Sequence, residues 1–220
     1  MTSTFITQQR RRPAGFTLME LMVVIAIMAL LATLTLMGFR YAQVTAMRNR
    51  STAFLKGITS ALENYKSEFG EYPRPKKAAQ TSVFGQKTYN VGGALMLYQA
   101  LSGDGDSEID IAGGNLGASN GRVEGPEVSR VMFKEMPTEL WKKDPTGYVT
   151  VDGFGHPFQY AAPNPSIKAQ YGASSKSVDN ETINSTYDLW SFGEDDAHTT
   201  EISVDARKMD AVSAKWIKNW

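Results

Sequence analysis

Hydrophobic and polar positions change their rhythm along this chain, and each rhythm predicts a different element. From Leu21 to Phe39 no side chain is charged, a run long enough for roughly 28 Å of helix at 1.5 Å per residue, close to the ~30 Å hydrocarbon core of a bilayer. A membrane span is predicted there. Beyond Arg40 the apolar positions thin to Val44, Met47, Phe54, Ile58, Ala61, Tyr65 and Phe69, in steps of three and four once Ser51 fills the gap, with Arg48, Arg50, Lys56, Glu63, Lys66 and Glu68 between them. That spacing predicts an amphipathic helix that lays one stripe on a sheet. Gly70 and Pro73 stop it, since glycine favours the position past a helix end and proline cannot continue one.

The rest is read as a head. Lys76 to Lys87 is a polar connector, and Gly92 to Leu101 carries the Ala, Leu and Met of a short helix ending at Ser102-Gly103. Residues 103–125, rich in Gly, Asp, Asn and Ser, form a surface loop. Met132 to Trp141 reads as a short helix interrupted by Pro137, and Asp144-Pro145-Thr146-Gly147 as a turn. Tyr148 to Val151 and Pro157 to Ala161 are β-rich runs flanking Asp152 to His156, which predicts a hairpin, and Tyr187 to Gly193 is a third strand.

Composition narrows the function. Arg10, Arg11 and Arg12 supply three of 23 basic residues against 23 acidic ones, so without the first 15 residues the chain is mildly acidic and no nucleic-acid partner is expected. With no cysteine, disulfides and thiolate chemistry are excluded. His156 and His198 have no nucleophile or second ligand at catalytic or metal spacing, and no phosphate-binding or zinc-protease motif occurs. The chain reads as a non-enzyme. Asp104, Asp106, Glu108 and Asp110 alternate like the start of a calcium loop, but Ile109 and Asn115 stand where that loop needs Gly and Glu.

The amino end is not a secretory signal, whose small-residue cleavage site would follow the apolar run. Here Ala14 and Gly15 precede it. Glu20 is an acid at the head of an apolar series, where an ionised side chain at mid-membrane costs about 2.5 to 3.5 kcal/mol. The segment Arg11-Arg12-Pro13-Ala14-Gly15-Phe16-Thr17-Leu18-Met19-Glu20 resembles the class III leader of type IV pilins and type II secretion pseudopilins. The later blocks Ala61 to Pro73, Asp152 to Tyr160, Tyr187 to Gly193 and Ile217 to Trp220 resemble those of major pseudopilins.

The resemblance implies an α+β, type IV pilin-like fold. Its parts are a leader over 1–15, a transmembrane helix segment over 16–39, the amphipathic half of the helix over 40–72, and a head over 73–220 on a small antiparallel sheet. It implies cleavage after Gly15 and methylation of Phe16 by a prepilin peptidase, with Glu20 setting the register of subunits against a neighbour's Phe16 ammonium. Snorkelling of Glu20 to the interface is the plainer alternative. It further implies a single-pass protein of the inner membrane with its amino end cytoplasmic by the positive-inside rule and its head outside. The partners so implied are further copies of the chain, minor pseudopilins, an inner-membrane assembly platform and, before assembly, the lipid bilayer.

A calcium ion is also implied, through Asp195 and by extension Asp196, Asp205 and Asp210, although Trp216 stands where relatives often place an aspartate. The alternative is a solvated acidic loop whose Trp216 and Trp220 cover the sheet. Met37 and Ala29 replace the helix-breaking Pro and Gly frequent in the family. A pseudopilus subunit most like the major one, a type IV pilus subunit and a singly anchored binding module are the readings carried forward.

Overall fold

The computed structural model describes residues 15–75, 80–104, 129–163, 182–195, 197–201 and 203–220. The chain divides into two units, Met1–Gln43 and Val44–Trp220. Helix α1, Leu18–Phe69, runs without interruption, as the absence of proline at Met37 allows. Thr33 and Thr35 keep their hydroxyls inside the helix by donating to the carbonyls of Ala29 and Leu31, each at 2.8 Å. Its end is capped by Gly70, whose φ of 82° is left-handed and whose N–H donates to the Lys66 carbonyl at 2.8 Å.

In the Val44–Trp220 unit the buried face of α1 is Ser51, Leu55, Ile58, Ala61, Leu62 and Tyr65. The predicted stripe is right in period but turned slightly about the axis: Leu55 and Leu62 take the centre, while Phe54 and Phe69 pack on the rim. Ser51 belongs to the stripe because its hydroxyl is used twice, donating to the Met47 carbonyl at 2.8 Å and accepting the Gly153 N–H at 2.9 Å.

Against that face packs α2, Gly92–Ser102, nearly all of it buried, as expected of a helix apolar on every side. It ends where the sequence predicts, at Gly103 with φ 84°. Gly93 lets α2 approach a strand closely, since a Cβ there would lie 2.9 Å from both the N and the O of Tyr160.

Among the described residues the strands form three small antiparallel sheets rather than one. β1 (Thr81–Phe84) pairs with β2 (Lys87–Asn90), and β3 (Trp141–Asp144) with β4 (Gly147–Thr150). β5 (Gln159–Ala161), β6 (Asp188–Ser191) and β7 (Ile217–Lys218) form a third sheet in the order β5-β6-β7. Part of the region read as a polar connector is therefore the β1–β2 hairpin, turned at Gly85 with φ 65°.

The predicted hairpin about Asp152 to His156 is corrected as well. Tyr148 to Thr150 pairs backwards with β3 through the Asp144–Gly147 turn, and only Val151 bridges Pro157. β5 pairs instead with β6. Met132 to Trp141 holds a 3₁₀ turn at Thr138–Leu140 and the first residue of β3, not an α-helix, because Pro137 admits a helix only after itself. The C-terminal region is not all loop: α3 (Val204–Lys208) and α4 (Asp210–Ser213) precede β7. The loop expected over 103–125 lies almost wholly outside the described residues.

Candidate functional site: the exposed amino-terminal helix and the carboxy-terminal segment

Every described residue from Gly15 to Gln43 is exposed, although this stretch contains Leu, Ile, Val, Met and Phe at most positions. A helix apolar on all sides is stable in water only when something apolar covers it. By length and composition α1 is able to cross a membrane. Phe16, 85% exposed, lies just before it.

Glu20 closes the first turn. Its Oε2 accepts the N–H and the hydroxyl of Thr17, both at 3.0 Å, and its own N–H donates to Thr17 Oγ1 at 3.2 Å. This is a reciprocal capping box. Thr17-x-x-Glu20 ahead of an apolar run is its signal in the sequence, one that the charge of Glu20 alone does not reveal. Both contacts from Thr17 fall on Oε2, and Glu20 is exposed, so Oε1 is able to accept a further donor.

At the other end the expected calcium ligands sit on separate small features. Asp195 accepts the Ala197 N–H at 3.0 Å, while its neighbour Glu194 pairs with Arg48 of α1 at 3.5 Å. Asp205 and Asp210 are exposed first-turn acids of α3 and α4, where a negative charge favours a helix start. Asp196 lies outside the described residues. Among the described residues no three acids or histidines come together as a metal site. The buried side-chain atoms here without a hydrogen-bond partner are the indole N–H groups of Trp190, Trp216 and Trp220, which are donors, whereas calcium takes six to eight oxygens. The described donor set does not fit the ion.

What fastens this end is a group the sequence reading missed. Arg207 and Asp188 are both fully buried, with Nη1 2.6 Å from Oδ2. Asp188 also accepts the N–H groups of Ile183 at 2.7 Å and Asn184 at 2.9 Å. The Arg207 guanidinium lies 4.8 Å from the Trp190 ring centre, and Trp216 stacks on Trp190 and meets Phe192 edge-on. Nothing but its place among short polar runs marked Arg207 in the sequence.

The acid alternation also changes character. Asp104 is buried and accepts the Tyr98 hydroxyl at 3.0 Å; burial and then the Asp104 charge push that phenol up. Asp106, Glu108, Asp110 and Asn115 lie outside the described residues. His156 sets Nδ1 3.1 Å from the Gly193 carbonyl and stacks on Tyr89 and Phe154, a packing role.

Comparison with known proteins completes the picture. Residues 10–36 match the prokaryotic N-terminal methylation motif. The type II secretion system core protein G of Aeromonas hydrophila is 29% identical over 118 residues, 47% of this chain and 82% of that protein. The core protein G of Klebsiella michiganensis is 33% identical over 75 residues, 34% of this chain and 53% of the relative. A fimbrial protein of Neisseria meningitidis is 27% identical over 176 residues, 78% of this chain and 92% of the relative. No solved structure matches the chain. The chain thus carries the methylation motif of prokaryotic pilins at the start of a long helix, has an α+β head behind it, and is homologous to core protein G of type II secretion systems.

Proposed function

We propose that this protein is a structural subunit of a type II secretion pseudopilus, polymerising through α1. The observation that carries the reading is the uncovered apolar surface of 15–43, interrupted by one acid whose Oε1 is open. In the bilayer that surface is covered by lipid, and in a filament by the helices of neighbouring copies. Cleavage after Gly15 would create an α-amino group on Phe16, ordinarily titrating near ~7.7 to 8.0 and so substantially protonated. The ammonium of a neighbouring copy then supplies the donor that Glu20 Oε1 lacks, so that one misaligned subunit leaves a charge unpaired in a low-dielectric bundle.

A prepilin peptidase cuts at Gly15 and methylates Phe16, Arg10 to Arg12 stay cytoplasmic, and the head lies across the inner membrane. The partners are further copies, minor pseudopilins and an assembly platform, and the head has a structural rather than catalytic role. A true pilus subunit is the second reading, favoured by the longer alignment to the fimbrial relative.

The capping box makes the test clean. Glu20→Gln keeps an N3 residue able to close the box but removes the charge, whereas Thr17→Ala removes the cap and keeps the charge. Filaments viewed by electron microscopy, with membrane extraction as the control for insertion, should be lost in Glu20→Gln and retained in Thr17→Ala. Normal filaments in Glu20→Gln would end the register role and leave α1 as an anchor. Rescue of secretion, rather than of a surface fibre, in a cell lacking its own core subunit separates pseudopilus from pilus.

A further inference from the structure

The carboxy-terminal segment is expected by resemblance to need a divalent cation, yet the described residues do not fit one. They do contain a buried cation already. Arg207 reaches from α3 to Asp188 at the start of β6, and Asp188 in turn takes the backbone N–H groups of Ile183 and Asn184. Three stretches thus meet at one carboxylate: the chain entering β6, β6 itself and α3. Arg207 Nε adds a contact to the Ser203 carbonyl at 3.4 Å, and Ser203 caps α3 by accepting the Ala206 N–H at 3.2 Å. Its guanidinium lies over Trp190, the ring that also meets Trp216 and Trp220. With three donors on its two oxygens, Asp188 has little capacity left for a metal.

We propose that the Arg207 guanidinium is the fixed cation that fastens residues 203–220 to the start of β6, and that this end of the head closes without calcium. A planar fork is suited to this role because it pairs with a carboxylate and stacks on an indole at once, which an ammonium does not. The proposal concerns how the head is held together and stands whether or not the chain polymerises.

The experiment follows tryptophan fluorescence through thermal unfolding of the full chain in detergent micelles, with millimolar CaCl₂ or with EGTA. A cation bound only to the folded state at a hundred times its Kd would raise Tm by about 5 to 10 °C; the expected result is coincident curves. Arg207→Met, which strands the Asp188 charge, should lower Tm by about 6 to 20 °C and open 203–220 to protease, with calcium restoring neither. Arg207→Lys should fall between the two. A calcium-dependent rise of the wild-type Tm that EGTA reverses would overturn the proposal, as would an unchanged Tm in Arg207→Met. If neither variant accumulates, the two wild-type curves decide.

Discussion

Asp152 is a carboxylate with three donors and almost no water. Its Oδ1 accepts the N–H groups of Phe154 at 2.8 Å and His156 at 2.9 Å, and its Oδ2 accepts the Ser191 hydroxyl. These bonds tie the 152–156 loop to β6, and Gly153 carries the tie to α1, where a Cβ would overlap the Met47 carbonyl and sit 3.0 Å from Ser51 Oγ. Burial raises the Asp152 carboxyl above its ordinary range, outweighing the Ser191 and backbone hydrogen bonds and the charge of His156, which lower it. An acid raised on folding binds more protons in the native state than in the unfolded one. Its contribution is therefore complete below the unfolded value of about 3.9 and is lost as pH rises through the folded value. Urea unfolding at a series of pH values should show Asp152→Asn gaining on the wild type as pH climbs from 4 towards 7. The opposite slope would mean that the three donors win over burial and hold the carboxylate ionised.

Among the elements, α2 shows most directly how close approach limits substitution. A glycine inside a helix ordinarily costs about 1 kcal/mol against alanine, so Gly93→Ala would stabilise an isolated α2. In the fold its Cβ meets the backbone of Tyr160 in β5, and β5 is held in turn by β6 and by the Tyr160 hydroxyl donating to the Pro73 carbonyl at 2.8 Å. Neither side yields easily, and overpacking of this kind costs about 1 to 3 kcal/mol. The expected outcome is a net loss of stability in chemical denaturation, and a gain would show that β5 moves freely.

The same elements explain which features were legible in the sequence. α1 and α2 are long enough to repeat their pattern, and each ends on a left-handed glycine, so Gly70 and Gly103 marked their ends. The strands of β1–β2 are four residues each and half exposed, too short for alternation to separate them from a polar connector. Two turn signals competed near Tyr148, and Asp144-Pro145-Thr146-Gly147 won because Asp144 accepts the Thr146 N–H at 3.1 Å and the Ser82 hydroxyl at 2.5 Å. α3 and α4, at five and four residues, complete too few turns to show a period. Glu20 was conspicuous as a charge in an apolar run, while Arg207 and Asp188 were ordinary charges until the fold removed water from both.

For the whole molecule, the decisive fact is where α1 ceases to be exposed. All of its buried residues lie between Ser51 and Tyr65, and among the described residues the core clusters draw on no apolar side chain before Phe54. On the proposed function the apolar surface of 15–43 serves association with lipid or with other copies, and the stability of the head is expected to come from the residues after it. A chain beginning at Val44 should remain soluble without detergent, run as a monomer, and melt in one cooperative transition. Its near-ultraviolet circular dichroism should carry the signal of the packed Trp190, Trp216 and Phe192 rings. Aggregation, or dye binding with loss of that aromatic signal, would indicate a loosened state and would mean that the head depends on the exposed half of α1. Retention of a native melt would locate folding after Val44 and reserve the preceding stretch for assembly, so that substitutions at Glu20 alter filaments while leaving the Tm of the head in place.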